Sequence, residues 1–172
     1  AVIIREKYNA GLFIGGEAYT AIRTAEEIQQ TKELPKEDSL SYGGRPYVNE
    51  YGWPIILSIN PQLIGKWLPL ILGVFSFIIF YIIINKINKE TRGLASLFLI
   101  LSPAYIYLYS TPTKYSITAF LLLLGTYFMI KNKEKTGIII YCAMGFFSII
   151  TLILTTIIYS YLSYKKKKNT PA

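Results

Sequence analysis

Histidine is absent from this chain, and cysteine occurs once. Without an imidazole there can be no Ser-His-Asp triad, no histidine general base and no His-rich zinc site. The single Cys142 excludes an intramolecular disulfide; inside its apolar block it reads as a small packing residue. Neither G-x-x-x-x-G-K-[ST] nor G-x-G-x-x-G occurs, so cytosolic nucleotide chemistry has no phosphate cradle here. Acidic residues are nearly missing from the second part. Residues 1–66 hold seven Lys or Arg against eight Asp or Glu, net −1, whereas 67–172 hold eleven against two, net +9. Because that positive charge sits between apolar blocks and not across one folded face, a nucleic-acid surface loses its support.

What is abundant is apolar sequence. Hydrophobic residues make up 52% of the 172, and the mean hydropathy is +0.38. They come in blocks, not at helical or strand period. A hydrocarbon core about 30 Å thick needs about 20 apolar residues of helix, because no water is there to satisfy open backbone groups. Trp67 to Asn85 is one such block, Leu94 to Tyr109 a second, and Tyr115 to Ile130 a third. None has the flanks of a cleaved leader. The expectation is an all-α integral membrane protein: an outer loop with short helices over 1–66, then a transmembrane helical region over 67–172. A transporter is disfavoured, since the spans carry no charge of the kind that marks an ion path.

The loops set the orientation. Lys86, Lys89 and Arg92 follow the first block and Lys131, Lys133 and Lys135 the third, whereas Ser110 to Tyr115 carries only Lys114. The positive-inside rule puts the two basic loops in the cytoplasm and residues 1–66 outside, in a multi-pass protein of the cell membrane. The fourth block, Gly137 to Tyr164, leaves two readings. One is a pair of short helices, Gly137 to about Phe147 and about Ile149 to Tyr164, returning Lys165 to Lys168 to the cytoplasmic side. The other is one long tilted helix.

The outer segment is patterned differently. After Gly15-Gly16, residues Glu17 to about Thr31 read as a helix with Ala18, Ala21, Ile22, Ala25 and Ile28 on one side. Tyr42-Gly43-Gly44-Arg45-Pro46 is a tight turn. Ile55 to Ile59 suits a helix lying on the membrane surface, and Asn60-Pro61 reads as N-cap and first residue of the next helix.

Gly16-Glu17-Ala18-Tyr19-Thr20-Ala21-Ile22-Arg23, then Ala25-Glu26-Glu27-Ile28, then Leu40-Ser41-Tyr42-Gly43-Gly44-Arg45-Pro46, together resemble the first outer loop of GT-C membrane glycosyltransferases. The spacing of Glu17 to Arg23 is similar to that of the acid and following arginine in oligosaccharyltransferase catalytic subunits. Ser102-Pro103 and Ser110-Thr111-Pro112-Thr113 look like prokaryotic, especially archaeal, members, and the fourth block looks like the short paired helices of related polyprenyl-phosphate sugar transferases, including the protein mannosyltransferase type.

The resemblance implies transfer of a sugar from a polyprenyl-phosphate-linked donor in the bilayer to an extracytoplasmic acceptor. It puts Glu17 at the acceptor, as base or orienting group; as a bare sequence feature, Glu17 reads first as a first-turn acid favoured by the helix dipole. Arg23 lies about 240° around the helix from Glu17, and either pairs with Glu27 or reaches a phosphate. Arg45 can hold a phosphate bidentately or be a plain turn residue. Lys114 stands where a lipid phosphate would lie, or snorkels to the interface. Tyr19 and Tyr42 are candidates for stacking on a sugar.

The chain also departs from that family. Metal-using oligosaccharyltransferases place a second acidic motif in the loop matching Ser110 to Tyr115, which here has no carboxylate; a divalent metal is unsupported and no cofactor is expected. A helix before the outer loop and a later half are missing, so the chain reads as an excerpt or a reduced relative. The alternative to catalysis is a non-catalytic membrane subunit or scaffold that keeps the fold.

Overall fold

The computed structural model describes residues 15–38, 45–47 and 50–168. The Tyr42-Gly43-Gly44 turn lies outside them. Helix α1 (Gly16–Thr31) begins where Gly15 takes a φ of 98°, a left-handed backbone that a side chain would strain. It ends on Lys32, itself left-handed at φ 59°, whose N–H returns to the Ile28 carbonyl. The predicted helix over 17–31 is thus present. Ala18, Ala21, Ile22 and Ala25 form its buried stripe. Three of these four are alanine, so a second backbone can approach closely.

That backbone is α2 (Gly52–Leu57). Trp53 and Leu57 are fully buried against α1, and with Ala21, Ile22, Ala25 and Phe147 they form a hydrophobic core. The helix expected over Ile55 to Ile59 instead runs from Gly52 to Leu57; Trp53 and Leu57 turn into the chain, whereas Ile55 at 36% and Ile59 at 74% stay exposed. Before α2, strand β1 (Glu37–Asp38) pairs antiparallel with β2 (Arg45–Pro46), and the Tyr51 hydroxyl donates to the Pro35 carbonyl at 2.7 Å.

Asn60 and Pro61 act as the sequence indicates: the Asn60 side chain accepts from the Leu63 N–H, and Pro61 opens α3 (Pro61–Ile87). Its 27 residues give a length of about 40 Å. Within it lies an 18-residue window of mean hydropathy 2.6, of which only 28% is buried by the rest of the chain. Among the described residues this is the one helix long and apolar enough to cross a membrane.

The block from Leu94 to Tyr109, expected as one span, is broken into α4 (Arg92–Leu101) and α5 (Pro103–Leu108). Pro103 has no N–H and pushes Ser102 to an extended ψ of 122°, which interrupts the ladder. The third block is α6 (Lys114–Ile130), apolar and 17 residues long. In the fourth, the chain breaks at Phe146 to Ser148 into α7 (Glu134–Gly145) and α8 (Ile149–Lys168), so the single long helix is ruled out and the first of the pair starts three residues before Gly137. Cys142 is exposed on α7, not packed as expected.

Several polar groups in the apolar elements find partners, whereas the buried Ser96 hydroxyl of α4 has none. Ser76 and Tyr109 share a hydroxyl bond of 2.6 Å, the Tyr105 hydroxyl donates to the Gly73 carbonyl, and Thr118 and Thr155 bond the carbonyl one turn back. The helices fall into two ends. At one, Lys86 donates to the Ile130 carbonyl, which brings the basic 86–92 and 130–135 segments side by side, and Arg92 donates to Asn85. At the other, α1, α2, the start of α6 and the α7–α8 break converge.

Candidate functional site

This second end holds the site. Trp53 anchors it: its indole N–H donates to the Pro112 carbonyl at 2.9 Å across a sequence gap of 59 residues, docking α2 on the link before α6. Pro112, Thr111 and Ser116 are all fully buried there. Gly52 fits against the carbonyl of Phe146; a Cβ on it would stand 2.4 Å from that oxygen. Helix α2 is therefore held against both the link before α6 and the α7–α8 break.

A cavity of about 220 Å³ lies between these elements, lined by Glu17, Thr20, Ala21, Tyr47, Glu50, Trp53, Pro54 and Lys114. Glu17 comes from the first turn of α1, Lys114 from the first residue of α6, and Glu50 from the stretch just before α2. Lys114 Nζ donates to Glu50 Oε2 at 2.7 Å, and it also lies 5.6 Å from the ring centre of Tyr115. Tyr47 stacks on Tyr51 with ring centres 4.8 Å apart, presenting an aromatic edge to the cavity.

The two carboxyls differ. Glu17 sits at the exposed mouth, yet partial burial pushes it above the usual 4.5; the Lys114 ammonium opposes that shift and the Glu50 charge adds to it. For Glu50, burial also acts upward, but the hydrogen bond from Lys114 and those from its own N–H and the Ile149 N–H outweigh it, and its carboxyl is held below 4.5. The same cavity thus shifts its two carboxyls in opposite directions.

Of the residues singled out in the sequence, Glu17 and Lys114 are brought together. Arg23 is on α1 but does not line the cavity, and Tyr19 is 43% exposed and turned away from it. Arg45 lies in β2 and its side chain, like all of Tyr42, is outside the described residues. Glu50, Tyr47 and Trp53 were missed. The signal for Trp53 was available in Gly52-Trp53-Pro54, a large aromatic beside two backbone-specialised residues; nothing local marks Glu50, whose partner is 64 residues away. Among the described residues, no group of three or more Cys, Asp or Glu could hold a metal ion. No family model, curated protein or solved structure matches this chain.

Proposed function

We propose that the chain is a multi-pass membrane protein with residues 1–66 extracytoplasmic, and that it serves sugar transfer from a polyprenyl-phosphate donor to an extracytoplasmic acceptor, as its resemblance to GT-C glycosyltransferases implies. The membrane part is supported by α3, which leaves most of its apolar surface uncovered, and by the gathering of basic residues at the end opposite the cavity.

The observation that carries the catalytic part is that Glu17 and Lys114 line one cavity. In this reading the Glu17 carboxylate takes the proton of the acceptor hydroxyl as its oxygen bonds to the anomeric carbon. The bond from that carbon to the donor phosphate breaks, and its electron pair leaves with the polyprenyl phosphate. Lys114 meets the charge on that leaving phosphate. Ligand pockets commonly run to about 300–1,000 Å³. At 220 Å³ the cavity is too small for an oligosaccharide, which favours a donor carrying a single sugar.

A scaffold without catalysis is the second reading, and the existing Glu50–Lys114 pair favours it, since the cation is already engaged. Membranes containing the chain, given a polyprenyl-phosphate donor with a radiolabelled sugar, decide between them. Acceptor labelling above that of membranes lacking the chain is expected; labelling at the background level leaves the scaffold.

A further inference from the structure

Lys114 is the one cation lining the cavity among the described residues, and two carboxylates share that space with it. A phosphate entering there needs the ammonium. It meets Lys114 already donating to Glu50 at 2.7 Å, with both side chains about one-fifth exposed, so the pair is accessible from the cavity and not sealed in the core. Glu50 has support of its own: the Ile149 N–H and its own backbone N–H also stabilise its carboxylate, so it keeps partners when Lys114 turns away. The Tyr115 ring, 5.6 Å from the Lys114 nitrogen, gives the ammonium a second favourable contact besides Glu50.

We propose that Glu50 is a positioning residue that holds Lys114 in reserve, and that a phosphate binding in the cavity must take the ammonium from it. Glu50 is then a built-in competitor for phosphate. It keeps the empty site from capturing stray anions, and it reclaims Lys114 when the phosphate departs. This rests on the reading of the cavity as the meeting place of phosphate and acceptor. It adds a residue that lines the cavity and acts through Lys114.

The sign of one effect separates this role from a merely structural one. If Glu50 only braced the fold, Glu50→Gln would loosen the cavity and weaken phosphate binding. As a competitor, its removal tightens binding by about two- to fivefold, the range for a partly exposed ion pair. The measurement is equilibrium binding to the full chain in detergent micelles, with inorganic phosphate in one arm and farnesyl phosphate in the other. Tightening in both arms marks the phosphate group as sufficient; tightening only with farnesyl phosphate marks a lipid headgroup. Lys114→Met should remove the gain in the double variant. Unchanged or weaker binding in Glu50→Gln overturns the proposal, as does a gain that survives Lys114→Met. Should Glu50→Gln fail to fold, Glu50→Asp, which withdraws the carboxylate by one methylene, must shift binding in the same direction by a smaller factor, and no shift again overturns it. Sugar transfer is not needed for any of these readings, so a chain that transfers nothing can still show the competition.

Discussion

Trp53→Phe removes the indole N–H that ties α2 to the link before α6, and the size of the effect follows from the surroundings. Trp53 is 1% exposed, and Pro112, whose carbonyl it serves, is fully buried. Phenylalanine keeps much of the apolar contact with Ala21, Ile22 and Leu57 but leaves that carbonyl without its partner, which costs about 1–3 kcal/mol. Trp53→Ala would add a cavity, for a total of about 3–5 kcal/mol. The loss falls on the docking of α1 and α2, so local opening is the quantity to measure. Thr24 is 2% exposed on α1 and near in size to cysteine. In a Thr24→Cys, Cys142→Ser background, a membrane-impermeant maleimide should label residue 24 slowly. Trp53→Phe should raise the rate by about 5- to 150-fold, the ratio corresponding to 1–3 kcal/mol. Equal rates in the two backgrounds would refute the claim that this indole holds α1 and α2 on the later helices.

Other expectations concern packing and proton balance. A Cβ at Gly125 would lie 2.4 Å from Tyr141, whose hydroxyl bonds Thr126, so Gly125→Ala should destabilise the α6–α7 pair by about 1–3 kcal/mol, read as a lower melting temperature in detergent. The Glu50 carboxyl is held below 4.5, so its contribution to stability is fully present above that value and lost as the pH falls through its lowered pKa; Glu50→Gln should flatten the acid side of a stability–pH curve. Glu17 is raised, so in the proposed role of base its acid limb falls at higher pH than for an unperturbed glutamate. The groups facing it are Lys114 and Glu50, and removing the Glu50 charge should move the acid limb of the transfer rate to lower pH; a limb that stays in place would show that Glu17 and Glu50 do not share a field.

The sequence made some of this readable and hid the rest for physical reasons. The α1 stripe and the Asn60-Pro61 cap were legible because helical periodicity and capping are local. The break at Phe146 to Ser148 was one of two options that length and lysine placement left open. Ser102-Pro103 was visible as a motif, yet the apolar count around it masked its effect on the backbone, and one expected span is two short helices. The docking of Trp53 on Pro112 and of Gly52 on Phe146 joins segments far apart in sequence, which no local pattern reports. The site was half legible for the same reason: Glu17 and Lys114 stand at helix starts beside recognisable turns, whereas Glu50 gains its importance only from a partner on α6.

The most direct measurement of the central claim is sugar transfer by Glu17→Gln against the unaltered protein, in membranes matched for protein amount. Loss of a general base predicts a fall of about 10²- to 10⁴-fold with the protein still folded by the residue-24 labelling test. Transfer at the unaltered rate would contradict the account, because the carboxylate it places at the acceptor would then do nothing there.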